Sequence, residues 1–293
     1  MKLAILKNPA DAIRVFPVRT NWTPVDPLAF VGDCPMFAPD DRRIPVMVSV
    51  VFTWHKITAE RIAASWRERF DDVRIGGPAY DDAGDEFTPG MFLKDGCTIT
   101  SRGCPKKCGW CSVPKREGAI RELAIKPGWI VQDNNLLACS EKHLRAVFDM
   151  LRAQGRAIFF NGGLDKHFLK EWHRELFDSI KIGELWFACD TFSDLESLER
   201  AAVILAGISI EKLRCYTMIG YDHETPDDAD RRCARVYELG FLPFCQLFQP
   251  LSGPLRNYDS DWRKVHRKWA RPAAYRAQVP ANEGSLFSQM GAA

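Results

Sequence analysis

The sequence predicts an α/β protein built on parallel strands, and three observations predict it. From residue 96 onward, short apolar and β-branched runs alternate with longer stretches of helical periodicity. The helical stretches carry start and stop signals at their ends. A strand, a helix and a second strand also follow one another within residues 46–78, the order of a parallel pair joined by a right-handed crossover.

In chain order, Val46–Trp54 is a β-branched, apolar run that reads as a buried strand. Ile57, Ile62, Trp66 and Phe70 recur at helical spacing with charges between them. Val73–Gly77 reads as a second strand ending in a glycine turn before Pro78. Six further strands are expected near 97–102, 129–134, 156–161, 184–190, 212–220 and 241–248. Helices are expected near 141–154, 166–180, 194–206 and 226–239. Ser140 is placed to cap the first of these and Gly155 to end it. Thr225-Pro226 caps the last, and Gly240 ends it. After Pro254 the alternation fades. Trp262–Arg271 is basic with two tryptophans, which suits a surface helix that packs its indoles, or a face that touches nucleic acid. The last dozen residues, small and polar, are expected to be mobile.

Composition sets bounds. The 293 residues are 46% hydrophobic and 27% charged, which is ordinary for a globular protein, and a net charge of +2 makes no strong case for nucleic acid or anionic membranes. No apolar run is long enough to span a bilayer, and the first residues do not read as a signal peptide, so a cytoplasmic location with reduced thiols is expected. Seven of the ten cysteines are scattered and are expected to pack as small apolar residues.

The other three are not scattered. Cys104, Cys108 and Cys111 stand at C-x3-C-x2-C spacing on a loop that follows the 97–102 strand. Three thiolates on one loop can hold three corners of a [4Fe–4S] cluster, leaving one iron open to a substrate or cofactor. Trp110 can shield such a cluster from water. The alternative is a zinc-binding or structural-cluster module without catalysis, although zinc usually takes four ligands from paired sets and no second pair lies nearby.

This loop, with an aromatic residue before its last cysteine, resembles the signature of the radical S-adenosylmethionine (radical SAM) enzymes. Ser101-Arg-Gly-Cys-Pro105 and Ser112-Val-Pro114 look most like the branch whose members often carry an N-terminal cobalamin-binding domain. The resemblance implies a partial (β/α)6 barrel over residues 96–254, an N-terminal α/β cap over 1–95 and a basic extension over 255–293. It implies a [4Fe–4S] cluster on the three cysteines and S-adenosylmethionine on the open iron. It places the active site at the C-terminal strand ends.

Further site residues follow from the same resemblance. Asp133 and Asn134 end the second strand, where the branch contacts the methionine amino group; Gly162 and Gly163 end the third and offer close backbone approach instead. Asp190 ends the fourth, where ribose or carboxylate is bound. Ile219 and Gly220 end the fifth, at the family's adenine contact, followed by Glu224-Thr225. Apart from the resemblance, Gln246 and Gln249 on the sixth strand are candidates to face substrate. The cobalt-ligating Asp-x-His-x-x-Gly motif is missing, and His55 has the wrong neighbours, so the cap is read as lacking cobalamin.

The expected chemistry is reductive cleavage of S-adenosylmethionine to a 5′-deoxyadenosyl radical and hydrogen abstraction from substrate. Rearrangement, elimination or oxidation would follow. No general catalytic residue can be assigned. An electron donor of flavodoxin or ferredoxin type is an expected partner. The compact chain also looks like virus-borne radical SAM isomerases that act on amino-acid-decorated thymine in DNA, which would place it in a host cytoplasm; a small-metabolite substrate is the alternative.

Overall fold

A computed structural model describes residues 8, 11–83, 86–251 and 253–276. The start of the chain and its last dozen residues, about which the sequence carried expectations, lie outside the described residues. By compactness the chain parts into two units, Met1–Asn134 and Asn135–Ala293.

The first unit contains a four-stranded sheet. Its strands are β1 (Ile13–Phe16), β2 (Ala29–Val31), β3 (Val46–Ser49) and, after helix α1 (Lys56–Arg67), β4 (Val73–Gly76). The order is β2-β1-β3-β4, and every pairing is parallel. β1 and β3 are buried along their whole length, as central strands of a parallel sheet must be. Ala59, Ile62, Ala63 and Trp66 form the buried stripe of α1, and Trp66 Nε1–H donates to the Gly32 carbonyl at 3.1 Å. The expected strand–helix–strand is present. The sequence reading missed β1 and β2, which are only four and three residues long. β1 also carries Arg14, a fully buried charge paired with Asp26, and so breaks the apolar pattern.

The rest of this unit carries the cysteines. β5 (Cys97–Thr98) pairs in parallel with β8 (Ile130–Val131). Between them, β6 (Ser101–Arg102) pairs antiparallel with β7 (Arg121–Glu122), and the short helix α2 (Val113–Arg116) lies inside that excursion. The single strand expected over 97–102 is therefore two. The chain leaves its parallel partner after Thr98, is gripped at Thr100 and Ser101 by the Asp133 carboxylate, and enters an antiparallel ribbon.

The second unit runs α3 (Glu141–Ala153), β9 (Ile158–Phe160), α4 (His173–Asp178), β10 (Ile182–Ala188), α5 (Asp194–Ile204), β11 (Leu213–Ile219), α6 (Pro226–Glu238) and β12 (Leu242–Leu247). β9, β10, β11 and β12 lie in that order and are all parallel. Among the described residues the strands close no barrel; the architecture is mixed α/β with parallel sheets. The caps are those expected. Ser140 Oγ accepts from the His143 N–H, and Thr225 and Asp228 form a reciprocal box with Pro226 at the first helical position. The helix expected over 166–180 is confined to α4, because Asp165 caps only a single tight turn at 166–168 and the chain then extends at Leu169.

Residues alternate along β11. Leu213, Cys215, Thr217 and Ile219 are buried, while Arg214, Tyr216 and Met218 are half-buried on the opposite face. On that opposite face Trp186, Tyr216 and Phe244 meet, with ring centroids 4.4 Å and 5.6 Å apart. The C-terminal helices α7 (Ser260–Trp269) and α8 (Pro272–Arg276) follow. Trp262 and Trp269 are buried in a cluster with Ile219, Cys233 and Cys245. Trp269 Nε1–H and Lys268 Nζ both reach Asp230, at 2.6 Å and 2.8 Å. Both indoles of the basic stretch are thus buried in the core.

No helix among the described residues is long and apolar enough to cross a membrane.

Candidate functional site

The cysteine loop is rooted from three sides. The β6–β7 ribbon closes its base, and the Cys104 N–H donates to the Gly118 carbonyl at 3.1 Å. The Gly103 N–H donates to Asn134 Oδ1 at 3.0 Å. Gly103 sits at φ +87°, and a Cβ there would lie 2.1 Å from the Ala119 carbonyl oxygen, so only glycine allows this approach. Within the loop, the Cys111 N–H donates to the Cys108 carbonyl at 3.1 Å.

Cys104, Cys108, Cys111 and Trp110 are all half-exposed. By contrast, Cys97, Cys189, Cys215, Cys233 and Cys245 are at most 1% exposed. Burial pushes the Cys97 thiol up to about 11 and the Cys189 thiol up to about 12, so these stay protonated and inert. The loop cysteines are thus set apart from the core ones by access. Among the described residues no three His, Cys, Asp or Glu side chains converge as one metal ion would need. A cubane spreads its thiolates over separate irons, so its ligands need not meet at a point.

Asp133 and Asn134 serve the loop. Asp133 is 1% exposed. Its carboxylate accepts from the Thr100 N–H (2.6 Å), the Thr100 hydroxyl (2.6 Å) and the Ser101 hydroxyl (2.8 Å). Those groups belong to the chain itself, so Asp133 holds the approach to the cysteines in place. Asn134 both holds Gly103 and lines a cavity.

That cavity, about 450 Å³, lies wholly among residues of the first unit. Phe16, Ser49 and Gly77 line it from the C-terminal ends of β1, β3 and β4, where open parallel sheets bind ligands. Trp22, Phe52, Phe87 and Phe92 supply aromatic walls, and His55 lies on the lining as well. From the cysteine-bearing side come Arg102, Arg116, Glu117 and Gln132. Glu117 Oε1 accepts from Arg116 Nε (3.2 Å) and Nη2 (3.1 Å) and from Arg102 Nη1 (3.4 Å). Arg102 Nε and Gln132 Nε2 are buried and find no partner among the described residues. The sequence reading missed the two arginines and Glu117, because nothing in their spacing marks them; only the β6–β7 ribbon brings them together.

The other predicted residues lie in the second unit. Gly162 is exposed and Gly163 half-buried at φ +141°, in a loop that joins β10 through the Leu164 N–H to the Trp186 carbonyl at 2.8 Å. Asp190 Oδ1 accepts from the Met218 N–H at 3.0 Å, tying the end of β10 to β11, and burial raises its carboxyl above the usual range. The Ile219 side chain is fully buried among the helices, so only its backbone can meet a ligand. Gly220 (φ +78°) donates to Glu224 Oε2 at 2.8 Å, and a Cβ there would strike the Tyr258 ring. Behind these strand ends, fully buried Arg232 pairs with Glu224 and donates to the carbonyls of Cys189 and Met218. Gln246 is exposed on β12, and Gln249 is occupied by the Arg256 backbone.

No protein-family model matches this chain, and no curated protein matches it in sequence. Its fold is similar to that of a solved structure, the radical S-adenosylmethionine methyltransferase TsrM from Kitasatospora setae with cobalamin and a [4Fe–4S] cluster bound. The TM-score is 0.59 at 12% identity, over 80% of this chain and 74% of that one. The likeness is one of fold, and it gives no support to the thymine-hypermodification reading.

Proposed function

We propose that this chain is a radical SAM enzyme. The carrying observation is the rooted loop with three accessible thiols, on a chain whose fold resembles that of a radical SAM methyltransferase. Cys104, Cys108 and Cys111 would hold a [4Fe–4S] cluster, and the donor set fits it: three thiols, all accessible, with Trp110 beside the last. When bound, the cluster supplies one electron to cleave S-adenosylmethionine and yield a 5′-deoxyadenosyl radical. The electron would come from a flavodoxin- or ferredoxin-type partner.

The chain's own residues prepare that chemistry. Asp133 and Asn134 fix the loop, and Gly103 allows its close turn. Aromatic side chains on the cavity wall would help to keep water from a radical intermediate. The missing cobalt-ligating Asp-x-His-x-x-Gly motif favours rearrangement, elimination or oxidation over methyl transfer through a corrinoid.

Anaerobic purification tests the proposal. The expected protein is brown, carries about four irons per chain as a cubane requires, and releases 5′-deoxyadenosine on addition of dithionite and S-adenosylmethionine. Each of Cys104→Ala, Cys108→Ala and Cys111→Ala should abolish both. A colourless protein holding one zinc per chain after anaerobic reconstitution with iron and sulfide would overturn it.

A further inference from the structure

Charge pairing breaks down on one helix. Every arginine on α3, α4, α5 and α6 makes an ion pair with a carboxylate, in most cases one turn away on the same helix, as Arg145 does with Glu141 and Arg200 with Glu196. α7 is built differently. Arg263 and Arg267 on it, and Arg271 two residues past its end, are exposed, and none of the three has an ion-pair partner among the described residues. One turn from Arg267 stand Arg263, Lys264, Ala270 and Arg271, so like charges face each other, an unfavourable arrangement on an isolated helix. The carboxylate one turn before Arg263, on Asp259, is taken up in capping: it accepts from the Asp261 and Trp262 N–H groups at 3.0 Å and 3.1 Å. Lys264, 77% exposed, adds a fourth cation, with Asp261 no nearer than 4.0 Å. Asp230, which reaches α7 from α6, is held by Lys268 and Trp269.

The opposite side of α7 decides what this basic face can take. Trp262, Val265 and Trp269 are at most 8% exposed and packed in the core with Ile219 and Cys233. A helix that lies on a membrane buries an apolar face among lipids, and here that face is already spent. A protein interface has an apolar centre, whereas the exposed arc of α7 holds Ser260, Arg263, Lys264 and Arg267. With both indoles buried, bases have nothing on this helix to stack against. What remains is a row of guanidiniums, each shaped to take a phosphate through two parallel hydrogen bonds. Arg263 and Arg267 are about 6 Å apart along the helix axis. Phosphates rise about 3.4 Å apiece along one strand of a duplex, so the two arginines match phosphates two positions apart.

We propose that the outer face of α7 binds nucleic acid through its phosphate backbone, without reading sequence. This goes beyond the radical SAM reading and does not depend on it.

The test is fluorescence anisotropy of a labelled random-sequence DNA duplex titrated with the full chain. Binding should weaken on the order of a hundredfold between about 50 and 200 mM salt, as three or four neutralised phosphates require. Arg263→Gln, Arg267→Gln and Arg271→Gln together should weaken binding at least tenfold at the lower salt and flatten the logarithmic salt slope by about 2–3. Arg145→Gln, Arg200→Gln and Arg231→Gln together remove the same charge from exposed, carboxylate-paired sites and should leave binding within twofold of wild type. Circular dichroism checks both folds. Cys104→Ala should bind the duplex as wild type does, which separates this proposal from the cluster assignment. Unlabelled duplex should displace the probe at lower concentration than poly-glutamate or vesicles of phosphatidylserine and phosphatidylcholine in equal parts, a comparison that needs no variant. No binding at the lower salt, equal weakening by the two triple variants, or stronger displacement by the polypeptide or the vesicles would overturn the proposal.

Discussion

Removing the Asp133 carboxylate should loosen the cysteine loop from a distance. Asp133→Ala strands one buried backbone N–H at Thr100 and two buried hydroxyls, on Thr100 and Ser101, all three residues being at most 1% exposed. Each buried donor left without a partner costs about 1–3 kcal/mol. The hydroxyls can turn toward other acceptors, so the sum should fall near ~3–6 kcal/mol, a large share of a domain's usual ~5–15 kcal/mol. Asp133→Asn differs in kind. Its amide oxygen can still take the Thr100 N–H, and its NH₂ can donate to hydroxyls that also accept. Loss of the charge-assisted bonds should then cost about 1–2 kcal/mol. The assays are urea unfolding, iron content after anaerobic reconstitution, and S-adenosylmethionine affinity by calorimetry. Asp133→Ala should lose stability and iron together, while Asp133→Asn should keep most of its iron and bind S-adenosylmethionine within a few-fold of wild type. A stable, fully loaded Asp133→Asn that no longer binds S-adenosylmethionine would refute this account, because the carboxylate would then be a ligand contact.

Three further outcomes are expected. Gly103→Ala should leave far-ultraviolet circular dichroism unchanged but lower iron retention several-fold, since its Cβ collides with the Ala119 carbonyl and the loop root must shift. Burial holds His173, only 2% exposed, down at about 4. The unfolded chain takes up that proton near the ordinary value of about 6.5, so the stabilising contribution is complete above 6.5 and is lost as pH falls toward 4. The loss should reach roughly 3 kcal/mol, and urea midpoints measured between pH 7 and 4 should fall less steeply in His173→Gln. Arg232→Met should destabilise by about 3–5 kcal/mol, because it leaves Glu224, whose side chain is 13% exposed, without its cation; thermal unfolding checks this, and Glu224→Gln in the same chain should recover part of the loss.

The parallel second sheet was legible in the sequence because each of its strands is a short apolar run between capped helices, and those signals are local. Ser140, Gly155, Thr225 and Gly240 announce helix ends within a few residues of the backbone groups they satisfy. The three loop thiols were legible for the same reason: their spacing alone brings them together. What only the tertiary structure decided depends on partners far apart in sequence. Asp133 reads as a ligand at a strand end, yet Thr100 and Ser101, more than thirty positions earlier, take its carboxylate. Ile219 reads as a cofactor contact, yet strand alternation turns its side chain into the helix layer. Arg102, Arg116 and Glu117 carry no motif, and they meet only when an antiparallel ribbon folds the ends of the thiol loop together. Hydrophobic period and capping act over one turn or one strand; the pairing of buried charges is settled by whichever groups the packed chain leaves away from water.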